Sequence, residues 1–184
     1  MPCRGLFKLK ASLTLTIFCL ISECHPGWTH LNHTGKCYKH DQTKRNWTEA
    51  LESCRSSSPS STLASVHDDT TNDFLTSLSG GNEYTWLGGY QDDEENWHWA
   101  DGSTWTGFNN WASGEPSNYL GSEDHLGFNA QLPGFWNDWP IASHLGSICQ
   151  YDLPYPGNNF LLAQNKHHRA TQACKLLFLI HSNR

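Results

Sequence analysis

The sequence predicts an α+β domain, and three observations lead there. Two short helical patterns are confined to the first half of the chain. Strand-like segments and one long irregular stretch follow them. Four cysteines remain within this region to make two bridges in an oxidising compartment. At 184 residues the chain has room for one ordinary domain and a little more.

The first helix is predicted from Asn46 to Cys54, where Trp47, Ala50, Leu51 and Cys54 fall at helical spacing. The second begins after His67-Asp68-Asp69, whose carboxylates suit a helix N-terminus. It is expected to bury Phe74, Leu75 and Leu78 and to stop at Gly80-Gly81. Between the two, Ser56 to Thr62 reads as a serine-rich loop. Beyond Gly81 the helical period is lost. Tyr84 to Gly89 reads as a buried strand, Trp97-His98-Trp99 alternates as a strand should, and Asp101-Gly102 marks a turn. Asn109 to Phe135, rich in Gly, Asn, Ser and Pro, is predicted to hold little regular structure. Long loops inside compact domains are usually functional or disordered. Acidic and amide residues packed into this one, with Trp111 and Phe128 to pin it to the core, favour a functional loop. Gly146 to Cys149 closes the domain as a last strand. Only 37% of residues are hydrophobic, and nine tryptophans supply large buried area to a core poor in aliphatics.

The two ends differ from this body. Arg4, Lys8 and Lys10 precede an uncharged, largely apolar run from Ala11 to Ile21, shorter than the ~20 residues a bilayer span needs. Residues 1–22 therefore read as a secretory signal, 23–154 as the domain, and 155–184 as a disordered tail with a basic run at Lys166 to Arg169. Of seven cysteines, Cys3 and Cys19 would leave with the signal. Cys24, Cys37, Cys54 and Cys149 remain in the domain, and Cys174 in the tail offers a route to a homodimer. Asn32-His33-Thr34 and Asn46-Trp47-Thr48 are sequons of a surface glycoprotein. A net charge of −6 argues against nucleic acid as a partner, and no later segment reads as a membrane span. Eleven histidines show no zinc-ligand spacing, and nothing points to an enzyme.

Taken in order, these landmarks resemble the C-type lectin-like domain. The matching pieces are Cys24-x-Pro26-Gly27-Trp28, Cys37-Tyr38, Trp47-x-x-Ala50-x-x-x-Cys54, Trp86-Leu87-Gly88-Gly89 and Trp97-x-Trp99-x-Asp101-Gly102. They continue with Asn110-Trp111, Gly114-Glu115-Pro116, Glu123-Asp124, Trp136-Asn137-Asp138 and Ile148-Cys149. The resemblance implies two helices with small antiparallel sheets and a long calcium-binding loop. It also implies the bridges Cys24–Cys37, as in the long form of the domain, and Cys54–Cys149.

By the same resemblance, Glu115, Glu123, Asn137 and Asp138 hold calcium, a cation that takes six to eight oxygen ligands, with Ser117 as an additional, weak ligand. The Glu115–Pro116 bond is expected to be cis, turning Glu115 toward the ion. Vicinal sugar hydroxyls would complete the calcium shell while bonding the same residues. The expected activity is thus binding of carbohydrate by a secreted, calcium-dependent lectin, in innate recognition of microbial or self glycans. The alternative is a calcium-independent protein-binding module of the same fold.

This chain departs from the family pattern in two places. The mannose-type motif is Glu-Pro-Asn and the galactose-type is Gln-Pro-Asp, whereas Ser117 stands third here. Glu-Pro-Ser occurs in some invertebrate members that bind galactose, and Tyr119 falls where galactose-binding members place an aromatic ring for stacking. Galactose-type ligands are therefore favoured. The family's other bridge would join positions 125 and 141, which are His125 and Ile141 here. An acidic turn at Asp92, Asp93, Glu94 and Glu95 reads as solvated rather than as a second calcium site.

Overall fold

The computed structural model describes residues 23–153 except 94, 106 and 130, and Cys24–Asp152 forms one compact unit. The signal segment and the whole of the tail, Cys174 included, lie outside the described residues. Elements follow in the order β1 (Thr29–Leu31), β2 (Lys36–Arg45), α1 (Trp47–Ser57), β3 (Thr62–Leu63), α2 (Asp69–Ser79), β4 (Thr85–Gln91) and β5 (Trp97–Trp99). After a single 3₁₀ turn (Tyr119–Gly121) come β6 (His125–Phe128), β7 (Trp136–Trp139) and β8 (Leu145–Asp152).

Both helices start where their capping chemistry dictates. The Asn46 side chain accepts the Glu49 N–H at 2.9 Å, and the Glu49 carboxylate accepts the Asn46 N–H at 3.2 Å, a reciprocal capping box. Trp47, Ala50, Leu51 and Cys54 then face inward, as their spacing requires. The helix continues to Ser57, and Thr62 already belongs to β3, so the serine-rich loop is shorter than expected. Serines tolerate the last turn because Ser56 and Ser57 return their hydroxyls to the Ser53 carbonyl. In α2, Asp68 caps by accepting the Thr71 N–H at 2.7 Å and also bonds His33 at 2.9 Å. Burial opposes ionisation of Asp68, but these bonds outweigh it and hold the carboxyl below its ordinary range. Gly80 ends the helix in the left-handed conformation. Leu75 is fully buried, whereas Phe74 and Leu78 pack against the core only partly covered.

The strands run in the order β1-β2-β8-β4-β6-β7, with β3 on β8 and β5 on β4, and β4 lies parallel to β8. Two glycines make β4 possible. A Cβ at Gly88 would meet the Leu63 carbonyl at 3.0 Å, and one at Gly89 would meet Leu126 at 2.8 Å. The strand is thus squeezed between β3 and β6 at Trp86-Leu87-Gly88-Gly89. Contrary to the expectation of little regular structure from Asn109 to Phe135, that stretch contains both the 3₁₀ turn and β6. Its glycine-rich composition hides a strand whose Leu126, Gly127 and Phe128 are buried. β1, β2 and β7 were likewise not predicted as strands.

The core has two parts. One gathers Tyr38, Val66, Leu75, Leu87, Trp99, Phe128, Trp136 and Ile148, and the other joins α1 to Trp86 and Leu63 around Cys54 and Cys149. Cys54 and Cys149 are disulfide-bonded, as are Cys24 and Cys37. Across the 95-residue separation, the longer bridge constrains the unfolded chain by about 4–5 kcal/mol in the chain-entropy picture. Replacing the α1 cap removes a smaller amount. In unglycosylated protein, Asn46→Ala should lower unfolding free energy by about 1 kcal/mol, read in a urea melt, and Asn46→Gly by only a few tenths.

Candidate functional site

The site grows from β7. Trp136 is fully buried, and its indole N–H donates to the Asn72 side chain on α2 at 2.9 Å. Its backbone is gripped from the other side, with its N–H on the Asn110 carbonyl and its carbonyl accepting the Ala112 N–H. Trp99, Trp105, Phe108 and Trp111 all place their rings within 6.0 Å of the Trp136 ring. With Trp136 fixed, strand alternation leaves Asn137 half-buried and returns Asp138 to the interior, where it is 1% exposed.

A buried carboxylate needs donors, and the long loop supplies them. Gly114, at φ +91°, turns the chain, the Glu115 N–H closes on the Ala112 carbonyl, and the Glu115–Pro116 peptide is cis. The Ser117 and Asn118 N–H groups then donate to the two oxygens of Asp138 at 3.0 and 2.6 Å. One oxygen of Glu123 accepts the Tyr119 N–H at 2.8 Å and the Ser117 hydroxyl at 3.3 Å. Asn118 returns its side-chain oxygen to the Glu123 N–H. The segment 117–123 is thereby coiled onto two carboxylates, with Asn118, Leu120 and Gly121 at positive φ.

The remaining oxygens have no such donors. Glu115 Oε2 and Asn137 Oδ1 are shielded from solvent without a hydrogen-bond partner, and an unsatisfied buried acceptor costs about 1–3 kcal/mol. Burial, and then the facing carboxylates of Asp138 and Glu123, push the Glu115 carboxyl above its ordinary range, with Ser117 offsetting only part. Acceptors without donors, beside mutually repelling acids, fit a hard cation and do not fit an anion or an apolar group. Among the described residues no three acidic, histidine or cysteine side chains converge as a preformed metal cage. Asp138 turns both oxygens toward loop amides and Glu123 turns one, which leaves Glu115 Oε2, Asn137 Oδ1 and the second Glu123 oxygen open to a metal. Tyr119 is 67% and Leu120 83% exposed on the 3₁₀ turn beside these groups.

The proposed acidic turn is a hairpin device. Asp92 accepts the Asn96 N–H at 2.9 Å and bonds His98 at 2.6 Å, which organises the connection from β4 to β5. The missing bridge has a substitute that the sequence did not reveal. The His125 ring packs 4.6 Å from Trp47 at the start of α1, and the Trp47 N–H donates to the Ile141 carbonyl. Burial drives the His125 imidazole down to about 4, only partly countered by Asp124, so the ring packs uncharged. A histidine whose folded pKa is depressed must charge against that burial, so stability is lost as pH falls from about 6.5 toward that value. Leu120 was also missed, although an apolar residue at the centre of a polar loop was a usable signal.

This combination of fold and loop defines a C-type lectin domain. The model of that family, the lectin C-type domain, matches residues 43–151, and the chain belongs to this family of non-enzymatic, carbohydrate-binding proteins. Among curated relatives, a protein described as a lectin from Pleurodeles waltl is 36% identical over 139 residues, covering 72% of this chain and 78% of that one. The galactose-specific lectin nattectin of Thalassophryne nattereri is 32% identical, covering 72% and 82%. Among solved structures, the C-type lectin CEL-I from Cucumaria echinata superposes with a TM-score of 0.66 at 28% identity, covering 72% of this chain and 99% of that one.

The 125–141 substitute yields a direct test. His125→Cys with Ile141→Cys restores the cysteine pair that the family pattern places there. It should raise stability by up to about 3 kcal/mol for a loop of this length, and denaturant melts under oxidising and reducing conditions should differ by that amount.

Proposed function

We propose that this chain is a secreted, calcium-dependent carbohydrate-binding lectin, with galactose-type ligands favoured over mannose-type and a role in recognising microbial or self glycans. The observation that carries the calcium reading is the pair of unpartnered oxygens, Glu115 Oε2 and Asn137 Oδ1, beside a carboxylate group whose members repel one another. Glu115, Glu123, Asn137 and Asp138 would hold the ion, with the Ser117 hydroxyl at the margin.

Bound calcium would supply a positive centre for two vicinal sugar hydroxyls. The protein does the orienting. Carboxylates of Glu115 and Glu123 accept from those hydroxyls, and the Asn137 amide donates as well as accepts. Tyr119, mostly exposed beside them, offers a ring face to the apolar side of the sugar, which galactose presents more fully than mannose. The galactose specificity named for nattectin is consistent with this preference. Export is supported by two disulfides, which persist in oxidising compartments. Among the described residues no helix is long and apolar enough to cross a membrane. Asn32 is exposed and open to glycosylation. Asn46 uses only its side-chain oxygen as a cap, which leaves its amide nitrogen for a glycan.

A second reading, a calcium-independent protein-binding module, draws on one observation. The loop amides already satisfy Asp138 and much of Glu123, so segment 117–123 is held without a metal. Retention on a galactose resin in calcium, with release by chelator, supports the lectin; a partner protein retained in chelator supports the module.

Two outcomes separate these further. Glu115→Gln should raise the melting temperature in chelator, because it removes a charge that Asp138 opposes, yet it should abolish any stabilisation by calcium. Differential scanning calorimetry with and without calcium reads both signs in one experiment. Tyr119→Ala should weaken galactose binding about three- to tenfold, the equivalent of one lost aromatic contact of roughly 0.5–1.5 kcal/mol, with calcium affinity unchanged by calorimetric titration.

A further inference from the structure

A cleft of about 750 Å³ opens where the start of β2 and the end of β8 meet β3 and the Asp101-Gly102 turn. It lies far from the loop in the strand order. Lys36 is on β2, and β8, β4 and β6 intervene before β7 carries Asn137 and Asp138. Its volume is within the range of about 300–1,000 Å³ that small-molecule sites occupy, but its lining is polar where such sites are mostly apolar.

Of the two acids that line the cleft, Asp101 is spent and Asp152 keeps one oxygen on Lys36. Asp101 accepts on one oxygen from the Ser103 N–H and hydroxyl, and on the other from the Ser65 hydroxyl and the Gln150 amide. Gln150 uses its own oxygen on the Ser65 N–H. The cations are not spent in the same way. Arg55, exposed at the end of α1, has no acidic partner among the described residues. Lys36 is paired at 2.7 Å with Asp152, whose exposed carboxylate is largely solvated, and the pair leaves two of the three ammonium donors free. The open groups are therefore a guanidinium fork, an ammonium with two uncommitted donors, and the Ser60 hydroxyl. Guanidinium pairs bidentately with carboxylate or sulfate, while the hydroxyl and the satisfied polar walls suit a hydroxylated ring. A chain of net charge −6 draws anions in by no general field, so binding here must be local.

We infer that this cleft is a second, calcium-independent binding site, for a monosaccharide bearing a carboxylate or a sulfate. It stands apart from the reading of the β7 loop, and the two are read separately.

The test uses the protein in excess chelator, where the β7 loop is idle. Glucuronate, galactose 6-sulfate, galactose and inorganic sulfate are each titrated while backbone amide shifts are followed by NMR. Either acidic sugar should move the Ser60 and Gly102 amides, galactose should not, and whichever acidic sugar binds names the acid group. Arg55→Ala should weaken that binding about tenfold or more, and Arg55→Lys should restore part of it. Arg55 is exposed and unpaired, so both variants should keep the wild-type melting temperature. Equal binding of galactose, equal binding of inorganic sulfate, undiminished binding by Arg55→Ala, or no shift with either acidic sugar overturns the proposal. Retention on galactose resin in calcium reports on the β7 loop alone, so failure at one site is not mistaken for failure at the other.

Discussion

Trp136 is the point at which the irregular half of this domain is fastened to the regular half. Its indole reaches α2 through Asn72, its backbone grips Asn110 and Ala112, and four other aromatic rings lie against it. A loop of this length has too few backbone partners of its own to hold one conformation. Wrapped around a buried indole, Trp105, Phe108 and Trp111 give it a local core instead. The next two residues of the strand, Asn137 and Asp138, are then presented at fixed positions, and everything from Gly114 to Glu123 is arranged relative to them.

Asp138 extends that logic from packing to electrostatics. Once Trp136 is in place, its carboxylate is committed to the interior and must find donors. It finds the amides of Ser117 and Asn118, which places Glu115 against it. The same folding step that satisfies one acid therefore crowds another, and the raised Glu115 carboxyl records that conflict. Sites that carry out chemistry or binding often hold such unresolved local conflicts, because the resolving group is the ligand. Ser117 is poorly suited to resolve it, since its hydroxyl is already turned to Glu123.

The helices were legible because their signals are local. Trp47, Ala50, Leu51 and Cys54 repeat at helical spacing, and Asp68 and Gly80 bracket the second helix. β4 and β5 were legible from runs of aromatic and small residues. β2 was not, since Lys36 to Arg45 is polar over most of its length and is a strand because β8 lies beside it. β6 was hidden by its glycine, which is required where the Trp139 indole crosses Gly127. For the loop, the motif residues Glu115, Ser117, Glu123, Asn137 and Asp138 could be named from the family resemblance, and the structure bonds Ser117 to Asp138 and Glu123 and sets Glu115 against Asp138. Which oxygens are spent and which are left over depends on backbone amides, and side-chain identity carries no information about those. The replacement of the 125–141 bridge by a ring contact and one hydrogen bond was illegible for the same reason.

The parallel bridge between Trp111 and Trp136 has a consequence beyond the site. β7 ends the strand order on that side, and an exposed terminal strand is a template for pairing with a second molecule. Residues 110–112 occupy the outward N–H and carbonyl of Trp136 and so shield the start of this strand against self-association. Any change that loosens this segment would expose a strand rich in tryptophan, and the damage would appear as concentration-dependent aggregation before it appeared as unfolding.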